Sequence, residues 1–118
     1  MVIGAASGMG EAVARQLRRR GGQLVLADVD VSGAERLAKE LGDDVDVRRC
    51  DVSAQAEVTA LAEACGEVDT LVLTAGLSPS MATGRRILAV DIIGPALVLE
   101  AFGSRAGTGS VAVVLASM

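Results

Sequence analysis

Three glycines within seven residues constrain the fold of this chain more than any other feature. They stand in the stretch GAASGMG, residues 4–10, between the short apolar run MVI and the amphipathic stretch EAVARQLRRR. Glycine is costly inside regular structure, so such a cluster indicates a turn that other residues cannot form. The order G-x-x-x-G-x-G is typical of a sharp turn from a buried strand into a helix.

Each of these glycines has a physical role that its position suggests. Gly4 tolerates the unusual φ of the turn, Gly8 lets a ligand approach the backbone, and Gly10 lets helix and strand pack closely. The free N–H groups and the positive dipole end of the helix then favour a phosphate. The alternative interpretation is a tight strand–helix turn that binds nothing.

The rest of the chain alternates between apolar strand patterns and helical patterns. Strands are predicted at residues 1–3, 23–28, 44–51, 68–76 and 109–118, and helices at 8–21, 32–42, 53–66 and about 85–102. Ser32 and Ser53 are the predicted N-caps, and Gly94-Pro95 is a possible bend. This order predicts an α/β fold, a doubly wound parallel (Rossmann) sheet within one domain, residues 1–118. The charged Arg48 and Arg49 indicate that the third predicted strand, residues 44–51, lies near the edge of the sheet.

An acidic residue follows the second predicted strand. Asp28 stands directly after the apolar run and 18 residues after Gly10. A carboxylate there can accept hydrogen bonds from the ribose hydroxyls of a dinucleotide and would repel a 2′-phosphate. Ser7 adds no positive charge for such a phosphate, so NAD is favoured over NADP. The alternative is a solvated loop acid.

Composition excludes several classes of function. The net charge of −4 argues against binding of nucleic acid, which needs a basic surface. No His, Tyr or Trp is present, so the chain cannot form a His-based catalytic triad, a histidine metal site or a tyrosine general acid. No bound metal is expected. No apolar run is long enough to span a membrane.

The two cysteines indicate a reducing compartment. Cys50 and Cys65 show no motif spacing, and we interpret both as small apolar residues rather than metal ligands or disulfide partners. No signal peptide is visible before the first strand. These observations predict a cytoplasmic location.

Four features together resemble the short-chain dehydrogenase/reductase family. They are the glycine turn, the acid after strand two, Asp51-Val52 after strand three, and LTAG at residues 73–76, where that family carries Asn-Ala-Gly. Residues 71–102 and 111–118 are particularly similar to the bacterial 3α-hydroxysteroid dehydrogenase/carbonyl reductase branch. The resemblance covers the whole chain.

The resemblance implies roles for individual residues. Asp51 would lie near the adenine amino group, Val52 against the adenine face, and Ala75 and Gly76 beside the cofactor below strand four. Ser117 falls where the family places a catalytic serine, which orients the substrate carbonyl. The residues expected to bind the cofactor are Gly4, Ser7, Gly8, Met9, Gly10, Asp28, Asp51, Val52, Ala75 and Gly76.

Two departures from the family pattern bear on catalysis. Asp91 stands where the family has an Asn that organises a water-linked proton path; it could hold the same water or pair with a nearby donor. The family's Tyr-x-x-x-Lys is absent, and Lys39, the only lysine, lies in the second predicted helix. We therefore expect the N-terminal part of a longer enzyme. Without the family's further strands, the last strand of this chain has a bare apolar edge.

The sequence leaves three functional hypotheses. The first is an NAD-dependent oxidoreductase that transfers hydride between a nicotinamide cofactor and a secondary alcohol or ketone, with a hydroxysteroid-like compound as one candidate. In the family the helix at 85–102 forms part of a subunit interface, which implies a homo-oligomer. The second is a dinucleotide-binding module without catalysis. The third is a methyltransferase that uses S-adenosylmethionine, which LTAG fits poorly.

Overall fold

A computed structural model describes residues 1–116 and shows a five-stranded parallel sheet in the order β3-β2-β1-β4-β5. The strands are β1 (Val2–Ile3), β2 (Leu24–Asp28), β3 (Val45–Arg49), β4 (Thr70–Leu73) and β5 (Val111–Val114). The helices are α1 (Gly8–Arg19), α2 (Val31–Leu41), α3 (Gln55–Cys65), α4 (Gly84–Leu88) and α5 (Gly94–Gly103). A π-helical segment, Ala89–Ile93, joins α4 to α5. The predicted doubly wound parallel sheet is confirmed.

The chain winds in both directions from the central strand β1. It first builds β2 and β3 on one side, then crosses back to place β4 and β5 on the other. In the register of the sheet, Val2 lies opposite both Leu26 and Val72. Such a reversal leaves a crevice at the carboxyl ends of β1 and β4, the usual ligand site of open α/β sheets.

Two apolar layers hold the helices on opposite faces of the sheet. Because side chains alternate along a strand, Val2 packs on one face and Ile3 on the other. One layer lies under α1 and α2 and contains Val2, Ala5, Ala14, Leu24, Leu26, Ala34 and Leu37. The other lies under α3 and α5 and includes Ile3, Val58, Leu61, Leu73, Val98 and Phe102. Small residues such as Ala14 and Ala34 let helices lie close to the strands.

Both predicted serine N-caps are wrong. Helix α2 is capped two residues earlier by Asp30, whose carboxylate accepts a hydrogen bond from the Gly33 N–H at 3.0 Å. Helix α3 begins after Ala54, which supplies no side-chain cap, and the Ser53 hydroxyl bonds to Asp51 instead. Asp and Ser are both good N-cap residues, so the choice depends on where the chain turns.

The long helical stretch predicted at about 85–102 is present but is not uniform. The π-helical segment interrupts it just before Pro95, which has no N–H to donate to the carbonyl of Asp91. Gly94 is needed for another reason: an added Cβ would lie 2.8 Å from Val52 Cγ2. Thus Gly94 lets α5 approach the turn after β3.

The two edges of the sheet differ in polarity. Strand β3 forms one edge, as predicted, and its exposed Arg48 and Arg49 follow the half-buried Val45 and Val47. Strand β5 forms the other edge within the described residues and is apolar. No helix within residues 1–116 has the length and apolar character that crossing a membrane requires.

Candidate functional site

The glycine loop between β1 and α1 has the geometry that its sequence predicts. Gly4 and Gly8 have φ of +89° and +56°, which L side chains rarely adopt. Gly10 is close to the loop itself: an added Cβ would overlap the Gly4 carbonyl and lie 2.6 Å from Thr74 Oγ1. By contrast, a Cβ at Gly8 would meet no atom within 4 Å, so this part of the loop is open.

The N-terminus of α1 offers free backbone donors beside that loop. Ser7 occupies the N-cap position, yet no side chain within the described residues caps the helix. Ser7, Gly8 and Met9 are exposed, and the first helical bond is from the Glu11 N–H to the Ser7 carbonyl at 3.3 Å. The first N–H groups of a helix carry partial positive charge. This cradle fits the phosphates of a dinucleotide.

Asp28 lies at the carboxyl end of β2, next to the glycine loop. Its Oδ2 accepts a hydrogen bond from the Ala6 N–H at 2.9 Å, and its Oδ1 accepts one from the Asp30 N–H at 2.9 Å. These two bonds fix the carboxylate beside the loop. Each oxygen keeps a lone pair, so the group can still accept hydrogen bonds from sugar hydroxyls.

Asp51 follows β3 and is held by several donors. Its Oδ1 accepts bonds from the Ser53 N–H at 2.9 Å and hydroxyl at 2.6 Å, and its Oδ2 accepts one from Arg86 Nη2 at 2.8 Å. Burial alone would raise the pKa of this carboxyl, but the bonds from Ser53 and Arg86 outweigh it and lower the pKa to about 2. Asp51 is therefore ionised at neutral pH.

Val52 is more deeply buried than a ligand-contacting side chain usually is. It is 4% exposed and packs against Gly94 in the layer under α3 and α5. Only a small part of its surface can reach a bound base. The predicted contact of Val52 with the adenine face stays a prediction.

Thr74 fixes the glycine loop against β4. Its hydroxyl lies 3.1 Å from the Ile3 carbonyl and 3.0 Å from the Gly4 carbonyl, and it donates to this pair. Sequence reasoning missed this role, although a hydroxyl residue directly after a central strand is a signal for it. Ala75 and Gly76 follow, half-buried and exposed respectively.

Asp91 connects the π-helical segment to the loop after β4. Its Oδ1 accepts a hydrogen bond from the Leu77 N–H at 2.8 Å. The side chain lies beside Gly76, since a Cβ there would be 3.6 Å from Asp91 Oδ1. Pairing with a nearby donor, one of the two interpretations of Asp91, describes this contact; its catalytic role stays a prediction.

Arg86 is the second residue that sequence reasoning missed. It stands in α4, 35 positions after Asp51, and its Nη1 also lies 2.6 Å from the Ser53 hydroxyl. No local pattern reveals such a long-range contact.

Most of the predicted cofactor residues lie together at the carboxyl ends of the strands. The glycine loop, Asp28, Asp51 and Ala75-Gly76 follow the carboxyl ends of β1, β2, β3 and β4. Lys39 lies elsewhere, on the exposed surface of α2. Ser117 is outside the described residues, so its catalytic role stays a prediction. A cavity of about 900 Å³ lies at the amino ends of the strands, near Gln23 and Asp69, and no predicted site residue within residues 1–116 lines it.

Comparison with known proteins places this geometry in a family. A family model described as Enoyl-(Acyl carrier protein) reductase matches residues 4–118. D-threitol dehydrogenase of Mycolicibacterium smegmatis is 37% identical over 128 aligned positions, which cover 94% of this chain and 49% of that protein. Galactitol 2-dehydrogenase (L-tagatose-forming) of Cereibacter sphaeroides is 35% identical and covers 86% and 44%. The chain spans about half the length of these curated relatives.

Solved structures show the same fold. A short-chain dehydrogenase/reductase from Brucella melitensis superposes with a TM-score of 0.87 at 27% identity, over 99% of this chain and 55% of that one. A 3-ketoacyl-(acyl-carrier-protein) reductase from the same organism, complexed with NADH, gives a TM-score of 0.76 at 31% identity over 87% and 48%. The match of the family model over nearly the whole chain, together with these relatives, shows that the chain belongs to the short-chain dehydrogenase/reductase family.

Proposed function

We propose that this chain is the cofactor-binding domain, residues 1–118, of an NAD-dependent oxidoreductase. The reaction would transfer hydride between a nicotinamide cofactor and a secondary alcohol or ketone. The observation that carries the proposal is the uncapped helix start at an open Gly8, with the Asp28 carboxylate bonded to the same loop through Ala6. Backbone N–H donors for a diphosphate and carboxylate acceptors for a ribose therefore lie side by side at the carboxyl ends of the strands.

The residues divide the dinucleotide among them. The backbone of Gly4, Ser7, Gly8, Met9 and Gly10 would bind the diphosphate, and Asp28 the adenosine ribose. Asp51 would bind the adenine amino group and Val52 would contact the adenine face, while Ala75 and Gly76 would line the cofactor below β4. The bound cofactor would supply or accept the hydride. Ser117 is proposed to orient the substrate oxygen, and Asp91 to stand in the place of the family Asn.

The preference for NAD over NADP rests on Asp28. A 2′-phosphate on the ribose would bring two negative charges beside this carboxylate, whose two oxygens already accept backbone N–H groups. The bonds to Ala6 and Asp30 keep the carboxylate from turning away. A ribose with a free 2′-hydroxyl can instead donate a hydrogen bond.

Names of relatives support alcohols as the substrate class. D-threitol dehydrogenase, galactitol 2-dehydrogenase and cis-4-hydroxycyclohexanecarboxylate dehydrogenase are all named for hydroxylated compounds. We extend this class to our chain and keep the 3α-hydroxysteroid dehydrogenase/carbonyl reductase branch as a narrower proposal. The resemblance of residues 71–102 supports that branch.

We also propose a cytoplasmic homo-oligomer. The joined helices α4 and α5 bury Val98 and Phe102 on the sheet and expose Leu88, Ile92 and Leu99 on another side, an apolar surface that a second subunit can cover. Burial raises the pKa of the Cys50 thiol to about 11, which makes it unreactive. Two free cysteines suit a reducing compartment.

A dinucleotide-binding module without catalysis is the second candidate. Tyr is absent from the 118 residues, and Lys39 lies on α2 away from the glycine loop. Such a module would bind the same cofactor at the same edge of the sheet. The two candidates differ in the full-length protein, which would fail to oxidise any alcohol with NAD if it is only a binding module.

Titration with NADH tests the proposal directly. The chain has no Trp or Tyr, so the fluorescence of the reduced nicotinamide is measured with little background from the protein. We expect NADH emission to rise on binding and NAD to reverse the rise. Displacement by S-adenosylmethionine instead would favour the methyltransferase, and no change with NADH would contradict the proposal.

A further inference from the structure

Three side chains form a closed hydrogen-bonded ring at the carboxyl end of β3. Arg86 Nη2 donates to Asp51 Oδ2 at 2.8 Å, and Arg86 Nη1 donates to the Ser53 hydroxyl at 2.6 Å. The Ser53 hydroxyl in turn donates to Asp51 Oδ1 at 2.6 Å. The ring joins helix α4 to the turn between β3 and α3, across 35 positions of sequence. Asp51 cannot rotate without breaking at least two of these bonds.

The ring leaves Asp51 with a defined capacity to accept one more hydrogen bond. A carboxylate offers about four lone-pair positions, two on each oxygen. Oδ1 is fully used, because it accepts both the N–H and the hydroxyl of Ser53. Oδ2 accepts one bond, from Arg86, and so has one lone pair free.

We propose that Arg86 is a positioning residue for recognition of the adenine base. This inference rests on the proposed function, in which Asp51 lies near the adenine amino group. Arg86 holds the carboxylate in one orientation, so that the free lone pair of Oδ2 accepts the N–H of an amino group. A carbonyl oxygen at the same place on the base has no proton to donate and is repelled.

The alternative is that the ring only ties two elements together. In that case its loss would weaken α4 and the turn after β3, and it would affect all dinucleotides alike. The two explanations differ in base discrimination. The ratio of affinities for NAD and nicotinamide hypoxanthine dinucleotide, which carries a carbonyl in place of the amino group, distinguishes them.

The experiment compares this ratio in three forms of the purified protein. Calorimetric titration with each dinucleotide is performed on the wild type, on Arg86→Gln and on Arg85→Gln. Arg85 is the matched control, because it is exposed in the same turn of α4 and is not among the donors to Asp51. Arg86→Met, which also removes both guanidinium bonds to Asp51 and Ser53, replaces Arg86→Gln should that variant not fold.

We expect the wild type to bind NAD about tenfold more tightly than the hypoxanthine analogue, the effect of one charge-assisted hydrogen bond. Arg86→Gln should reduce this ratio to about twofold or less, while Arg85→Gln keeps it. An unchanged ratio in folded Arg86→Gln overturns the inference and leaves the proposed function standing. Equal wild-type affinities for both dinucleotides also overturn it, whereas binding of neither contradicts the proposed function itself.

Discussion

At the scale of single residues, Gly10 is the position of the glycine loop where an added Cβ would come closest to another atom. It stands where α1 passes the Gly4 carbonyl, and its φ is ordinary, so only space requires glycine there. Gly8 shows the opposite case, with open space and a positive φ. The same residue type thus serves close packing at one position and backbone conformation at the other.

Gly10→Ala should lower the free energy of unfolding by about 1–3 kcal/mol, the usual cost of overpacking. The new methyl group would overlap the Gly4 carbonyl and displace the Thr74 hydroxyl from the loop. Denaturant unfolding measures the change. Gly103→Ala is the control, since a Cβ there meets nothing within 4 Å, and it should be neutral or stabilising. Equal stability of Gly10→Ala and the wild type would contradict this reading of the loop.

Local residue chemistry could be predicted from the sequence, and long-range contacts could not. The glycine turn and the position of Asp28 follow from spacing, because both depend on neighbouring residues and strand ends. Thr74 and Arg86 act on groups 70 and 35 positions away, which no spacing rule reveals. The residue type of Ser32 predicts an N-cap there, but the chain turns at Asp30.

At the scale of elements, the contact between α4 and the turn after β3 depends on an ionised carboxylate. The free Asp51 side chain has an ordinary pKa of 3.8, and folding lowers it to about 2 through its bonds with Ser53 and Arg86. The unfolded chain therefore binds more protons than the folded one in this range. The stabilisation is complete above about pH 4 and is lost as the pH falls through about 2.

Asp51→Asn should accordingly lower the stability of the protein at neutral pH but not in acid. At neutral pH we expect the variant to be less stable by about 1–2 kcal/mol, a value discounted for the partly exposed Arg86. The difference should shrink toward zero near pH 2, as measured by denaturant unfolding over a pH series. Asp43→Asn, an exposed acid outside the ring, controls for net charge. A difference that does not change with pH would contradict the account.

Periodicity predicted all the elements of the sheet, but not the irregularity in the long helix. Apolar runs and helical stripes indicate which residues are buried, and the positions of strands and helices along the chain can be predicted from them. The π-helical segment lies beside Pro95, the approach of Gly94 to Val52 and the hydrogen bond between Leu77 and Asp91. The last two are tertiary contacts, so the sequence indicates a bend at Gly94-Pro95 rather than a change of helix type.

At the scale of the whole molecule, the sheet has one apolar edge. Val111 and Val113 are 54% and 43% exposed, and neither belongs to the apolar layer under α3 and α5. Strand β5 has a neighbour on one side only, β4, within the described residues. An exposed, apolar edge strand pairs readily with other chains.

The purified 118-residue chain should therefore associate. We expect light scattering after size-exclusion chromatography to give a mass that rises with concentration, and Val113→Lys to reduce it. Met81→Lys, at an exposed apolar residue of a loop, should not. A monomeric mass for the wild type over the same concentrations would show that strand β5 does not pair with other chains.

The central claim is that the open glycine loop and Asp28 together bind a dinucleotide with a free 2′-hydroxyl. Calorimetric titration of the wild type and Asp28→Ala with NAD and with NADP tests it most directly. The account predicts that the wild type prefers NAD, and that Asp28→Ala weakens NAD binding about tenfold and removes most of the preference. Unchanged affinity for NAD in a folded Asp28→Ala variant would contradict it.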